Sequence, residues 1–183
     1  MNIETKITPN PETLKFVVGK KYITNKGIEI KNIKEAKKFK FTNEIFQIKG
    51  IKSLYLGDSF VSITKQENFS WSVLKTKILT FLLDYISNNK YLIEEQTNSK
   101  QIKKKKKDKI SENIEKVIDE KVRPAVAQDG GDIIFKDFNK GTVSLILKGA
   151  CAGCPSSTAT LKQGIENLLK HYFPEVKEVK AVE

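Results

Sequence analysis

The stretch "DIIFKDFNKGTVSLILKGACAGCPSS", residues 132–157, holds two apolar runs, a glycine turn and both cysteines of the chain. "DIIFKDF" (132–138) and "TVSLILKGA" (142–150) are rich enough in β-branched and aromatic residues to read as strands. Only "NKG" separates them, and so short a link demands an antiparallel hairpin. The second strand delivers the chain to Cys151. Cys154 stands directly before Pro155, a residue favoured at the first helical position. A helix from about Ser157 to Tyr172 follows, with Leu161, Ile165, Leu168, Leu169 and Tyr172 as its buried stripe. Pro174 closes it, and "EVKEVKAV" (175–182) reads as a last edge strand.

Upstream, Ile110, Ile114, Val117, Ile118 and Val122 share one helical face. Pro124 ends that run or restarts it at a new first turn. "DGGDI" (129–133) then supplies a break, where Gly130 or Gly131 takes a positive φ easily, and a helix stop with a turn accounts for both glycines. The order α-β-β-α-β predicts a small α+β domain: a three-stranded mixed sheet with helices on one face.

"EEQTNSKQIKKKKKDK" (94–109) is polar, strongly charged and nearly free of aliphatic residues, the composition of a solvated linker. It divides the chain into residues 1–95, a linker over 96–109, and residues 110–183. Lys103 to Lys107 read as a self-repelling spacer, with binding to RNA or an acidic partner as the competing reading. In the first part, "TLKFVV" (13–18) reads as a strand, and "IKSLYLGDSFVSITK" (51–65) as a hairpin about Gly57-Asp58. "SWSVLKTKILTFLLDYIS" (70–87) has the apolar spacing of a helix capped by Ser70, with Trp71 as a core anchor. This half contains no cysteine, no histidine and no glycine-rich phosphate loop. The whole is an α+β protein of two small domains.

The net charge of +11 suggests nucleic acid, but its distribution argues against it. Residues 110–183 hold 10 Lys/Arg against 11 Asp/Glu, so the thiol-bearing part is not basic. Two cysteines are too few for a secreted disulfide scaffold. No apolar run is long enough for a transmembrane helix. The opening "MNIETKITPNPE" lacks the pattern of a targeting peptide.

Orphan N–H groups at a helix start favour thiolate, and Gly149, Ala150, Ala152 and Gly153 leave the backbone around the cysteines uncovered. Such thiols do redox chemistry or bind metal; the alternative is a pair of small buried hydrophobes. A thiol–disulfide oxidoreductase is one reading, although a thioredoxin-like CxxC follows a parallel βαβ unit and this one follows a tight hairpin. Zinc and iron–sulfur sites need four ligands. His171, the other soft ligand, lies near the far end of its helix, so one chain supplies half a site. Two copies of Cys151 and Cys154 across a two-fold axis supply all four thiolates. A cluster held between chains suits assembly and delivery.

The pattern "RPAVAQDGGDI" (123–133), "GACAGCPSSTATLKQGIE" (149–166) and "FPEVKEVKAV" (173–182) resembles the NifU-like C-terminal domain. "PNPETLKF" (9–16), "EIFQIKGIKSLYLGDSFVSITK" (44–65) and Trp71 resemble the Nfu N-terminal domain, with a departure at "KFTNEIF" (40–46). The resemblance implies an Nfu-type carrier and no enzyme. It would bind a [4Fe–4S] cluster, or alternatively [2Fe–2S], between two chains of a homodimer. The cluster would come from an upstream assembly scaffold and go to apo iron–sulfur proteins. Cys151 and Cys154 would be the ligands, and Gly149, Gly153 and Pro155 would shape the loop. With no presequence visible, the expected location is the bacterial cytoplasm.

Overall fold

Two antiparallel hairpins organise the molecule, one in each of the units into which the chain divides, Met1–Glu95 and Gln96–Glu183. The structure is a computed structural model that describes residues 2–23, 27–93, 108–152 and 155–182.

In the first unit the hairpin is β4 (Ile51–Leu56) and β5 (Phe60–Lys65), and Gly57 N–H donates to the Phe60 carbonyl across the turn (2.9 Å). β1 (Glu4–Ile7), β2 (Thr13–Val17) and β3 (Ile28–Ile30) extend it into a five-stranded antiparallel sheet of order β1-β2-β5-β4-β3. Two short helices, α1 (Ile33–Ala36) and α2 (Lys40–Ile45), precede the hairpin. Helix α3 (Trp71–Asn88) follows it and buries Leu74, Ile78, Leu82, Tyr85 and Ile86, the spacing expected from the sequence. The Ser70 hydroxyl accepts from Ser72 N–H as its cap (3.2 Å). Trp71 packs half-buried on the core, its indole N–H donating to the Pro11 carbonyl (2.9 Å). Phe16, Phe41, Leu54, Ile63 and Leu82 form the fully buried centre of this core. Each such side chain contributes roughly 1.5–3 kcal/mol through burial.

The second unit opens with α4 (Lys109–Val117), capped by Asp108, whose carboxylate accepts from Ser111 N–H (2.9 Å). The helix does not stop at its proline. A π-turn over Ile118–Val122 leads directly into α5 (Arg123–Gln128), with Pro124 in the first turn. Arg123 N–H reaches back to the Ile118 carbonyl, a five-residue step. Pro124 has no N–H to continue the ladder, so a wider turn accommodates it without ending the run. Ile114, Ile118, Val122 and Val126 stay on the buried side throughout.

β6 (Gly131–Asn139) and β7 (Thr142–Gly149) pair antiparallel, and β8 (Glu178–Val182) adds in parallel beside β7. The link between β6 and β7 is the two-residue turn Lys140-Gly141, with φ of 48° and 89°. Two successive positive φ values define a type I′ turn, whose twist matches that of the strands it joins. A bulge between Phe135 and Asp137 resets the alternation, so Ile133, Phe135 and Phe138 all face the same core. Helix α6 (Pro155–Tyr172) covers that face with Ile165 and Leu169. The α+β class and the mixed three-stranded sheet with helices on one face are as expected from the sequence. β1, β3, α1 and α2 were not anticipated, and the Lys103–Lys107 run lies outside the described residues. Among the described residues, no helix is long and apolar enough to cross a membrane.

Candidate functional site

β7 ends at Gly149, whose φ of 62° turns the chain away from the sheet. Ala150 N–H donates back to the Gly130 carbonyl (3.1 Å), and Ala152 N–H donates to the Gly149 carbonyl (3.1 Å). These two bonds fold the loop at Cys151, which is 7% exposed and belongs to the edge of the unit's core. Gly153 and Cys154 lie outside the described residues. Pro155 is the first residue of α6, so the sequence-derived placement of a proline at the helix start matches the backbone.

Gly131 faces Gly149 across the hairpin. A methyl group at Gly131 would stand 2.4 Å from the Cys151 sulfur and 3.0 Å from the Lys148 carbonyl oxygen. The thiol therefore occupies the space that a side chain at Gly131 would take. The sequence reading gave both glycines of "DGG" to a turn. Gly130, at φ 79°, fits that role. Gly131 is the first residue of a strand, and its lack of a side chain makes room for sulfur. No local pattern signals this, because the partner lies far along the chain.

Arg123 also escaped the sequence reading. Its Nε donates to Asp132 Oδ1 (3.0 Å) and to the Ile133 carbonyl (3.2 Å), and one terminal nitrogen donates to that carbonyl (2.9 Å). The other terminal nitrogen pairs with Asp119 Oδ1 (2.9 Å). Asp132 Oδ1 in turn accepts from Ile133 N–H (2.8 Å). One guanidinium thus joins the π-turn to the first residues of β6. Its spacing in the sequence, next to Pro124 and nine residues before Asp132, gave no hint of this.

His171 is exposed in the last turn of α6, edge-on to the Tyr172 ring (5.3 Å between centroids). A helix of 18 residues is about 27 Å long, so His171 is far from the cysteine loop, as the sequence implied. Glu166, midway along α6, accepts from Lys170 Nζ (2.6 Å) and from Val179 N–H (3.0 Å). The Lys170 hydrogen bond is the main reason its carboxyl is held below the ordinary value, with the Val179 N–H second. These bonds tie the helix that starts at the site to the edge strand β8.

A dithiol loop between a hairpin and a helix, in a mixed three-stranded α+β unit joined to an all-antiparallel one, defines a two-part class of protein. Residues 114–180 match the NifU-like domain, and residues 3–89 match the scaffold protein Nfu/NifU N-terminal domain. The chain belongs to the Nfu/NifU scaffold family. It is 37% identical over its whole length to the human "NFU1 iron-sulfur cluster scaffold homolog, mitochondrial", of which it spans 72%. It is 37% identical to "NifU-like protein 4, mitochondrial" of Arabidopsis thaliana, over 98% of this chain and 65% of that protein. It is 33% identical to the NFU1 homolog of Drosophila willistoni, spanning 64% of it. A solution NMR structure of a NifU-like protein from Saccharomyces cerevisiae aligns with 52% of this chain and 87% of its own, at 30% identity and a TM-score of 0.47.

These relatives overturn one expectation. The bacterial cytoplasm was inferred from the first residues of the chain, yet the relatives are named as mitochondrial proteins of animals and a plant. The first residues of a chain that spans only part of its relatives are no guide to compartment.

Proposed function

We propose that the protein is an iron–sulfur cluster scaffold and carrier, in which Cys151 and Cys154 of two copies hold one [4Fe–4S] cluster across a two-fold axis. The observation that carries this reading is that the chain has two cysteines in all, both in the loop between β7 and α6. Four thiolates therefore need a second copy. The donors suit the cargo: thiolate is the iron–sulfur ligand, and Cys151 lies against bare backbone at Gly131, with no bulky side chain standing in that space. Gly149 turns the loop, and Gly153 and Pro155, which flank Cys154 in the sequence, are the other positions to which this reading gives a loop-shaping role. We assign residues 1–95 and 110–183 as the two domains with a linker over 96–109, whose last two residues, Asp108 and Lys109, are the cap and first residue of α4.

On this reading the protein is a carrier rather than an enzyme. It takes a cluster from an upstream assembly scaffold and yields it to apo iron–sulfur proteins when the two copies separate. Its relatives are named for mitochondria, and we assign the same compartment here.

Anaerobic reconstitution with iron and sulfide tests the reading. The expected product is a brown dimer with roughly four irons per two chains. Mössbauer spectra separate this from the [2Fe–2S] alternative. Cys151→Ser and Cys154→Ser should each abolish loading. A monomer that retains a full cluster, or colour that survives both substitutions, would falsify the proposal.

A further inference from the structure

We propose that Arg123 is a positioning residue for Cys151: acting from the start of α5, directly after the π-turn, it fixes the opening of β6, and that strand is the seat of the thiol. The inference rests on the reading of Cys151 as a cluster ligand.

Hydrogen bonds and direct packing connect the two residues. Arg123 holds both the Asp132 carboxylate (3.0 Å) and the Ile133 carbonyl (2.9 Å), the two residues that follow Gly131. Gly131 is paired with Gly149 and lies against the Cys151 sulfur. Gly130, the residue before it, accepts from Ala150 N–H, the residue before Cys151. A shift at residues 130–133 therefore reaches Cys151 by two routes, backbone hydrogen bond and direct packing. β6 lies at the margin of the three-stranded sheet, and Arg123 holds it at residues 132 and 133.

The π-turn gives the arrangement its aim. One extra residue in a helical turn rotates everything after it by about 100° around the axis. Arg123 is the first residue beyond Ile118–Val122, so the turn sets which way its side chain leaves the helix. Arginine is needed because its planar fork engages a carboxylate and a carbonyl together, whereas lysine presents a single point of charge. Asp119, one helical turn earlier, holds the remaining nitrogen and keeps the fork in one plane of approach.

The test uses the full chain with Cys154→Ser, so that Cys151 carries the one thiol. The rate of Cys151 alkylation by iodoacetamide is followed by intact mass, without iron. Arg123→Gln should raise that rate about tenfold by loosening the seat, and Arg123→Lys should fall between it and the parent. Amide exchange provides the control. It should accelerate at residues 130–133 and 149–151 and stay unchanged at Val143 and Leu145, at the other end of the hairpin. Exchange that rises equally at both ends, or alkylation that does not change, overturns the proposal. If Arg123→Gln does not fold, Asp132→Ala removes the same brace from the strand side and is held to the same outcomes.

A second arm loads chains that keep both cysteines with iron and sulfide. Arg123→Gln should lose its cluster to a chelator several-fold faster than the parent. Faster alkylation with unchanged cluster loss overturns the proposal for the loaded protein, and loading that survives Cys151→Ser overturns it through its premise. Loading that depends on Cys151 but ignores Arg123 in both arms overturns the brace and leaves the ligand reading standing.

Discussion

Both units lay a side chain over a glycine at the end of a hairpin strand, and they do it for different ends. In the first unit the Phe60 ring covers Gly57, where an added methyl would meet ring carbons at 2.3 Å, and the Phe69 ring covers Gly50 in the same way. In the second unit the Cys151 sulfur covers Gly131, where an added methyl would meet it at 2.4 Å. The first pairing extends an apolar core whose centre is aromatic and aliphatic. The second sets a reactive atom against backbone. A glycine so covered is a mark of close approach, and the chemistry lies in what approaches. The first unit, with the larger core, holds no cysteine or histidine to approach such a glycine, and the second does.

The comparison is broken most severely at Gly131. Gly131→Ala should displace the thiol, destabilise the second unit by about 1–3 kcal/mol through overpacking, and abolish cluster loading. Loading at the parent level, measured as iron per chain, would mean that sulfur needs no seat there. Gly57→Ala should cost a similar 1–3 kcal/mol or so in thermal unfolding, because the buried Phe60 ring must move, yet leave iron loading unchanged. A drop in loading would join the two units in a way the comparison does not allow.

A gentler change sharpens it. Lys140 has φ 48° in a type I′ turn that prefers asparagine or glycine. Lys140→Asn should stabilise the second unit by about 0.5 kcal/mol, read from a denaturant midpoint, with no change in alkylation of Cys151. The smallest effect is expected at Glu166. Its carboxyl is held low in the folded state by Lys170 and then by Val179 N–H. A lowered folded value contributes stability above the unfolded value of about 4.3, and that contribution is lost as pH falls through the folded value. Glu166→Gln should therefore flatten the stability of the second unit between pH 5 and the acid limit, and leave it sensitive only to other groups. An unchanged pH slope would remove Glu166 from the contacts that matter between α6 and β8.

Much of the second unit could be read in advance because its signals are local. The short "NKG" link forces a hairpin, a proline marks the start of α6, and Leu161, Ile165, Leu168 and Leu169 at helical spacing mark its buried side, whereas Tyr172, expected on the same stripe, is 45% exposed. Helix α3 was legible for the same reason. The edge strand β1 was not: its four residues are mostly exposed, and Ile7 is 88% exposed, so no alternation betrays it. α1 and α2 are too short for periodicity to emerge. At Pro124 the sequence left two outcomes, and the second holds, with Pro124 in the first turn of α5; the π-turn that joins α5 to α4 had no signal in the spacing. The site divides likewise. The cysteines are plain in the sequence, whereas Gly131 and Arg123 matter through contacts between distant residues, which composition and spacing do not encode.

One further consequence belongs to the order in which the chain is made. β8 lies in parallel beside β7, and its entry is fixed by Lys177 and Glu178 N–H groups donating to the Gly141 carbonyl (2.7 and 3.2 Å). A parallel partner arrives only after a crossover, here all of α6, has been synthesised. On the ribosome, then, the cysteines emerge while one of the three strands of their sheet is still missing. Nascent chains pass through an interval in which the thiols are present without the finished edge, and that interval is when a stray metal or an oxidant would find them.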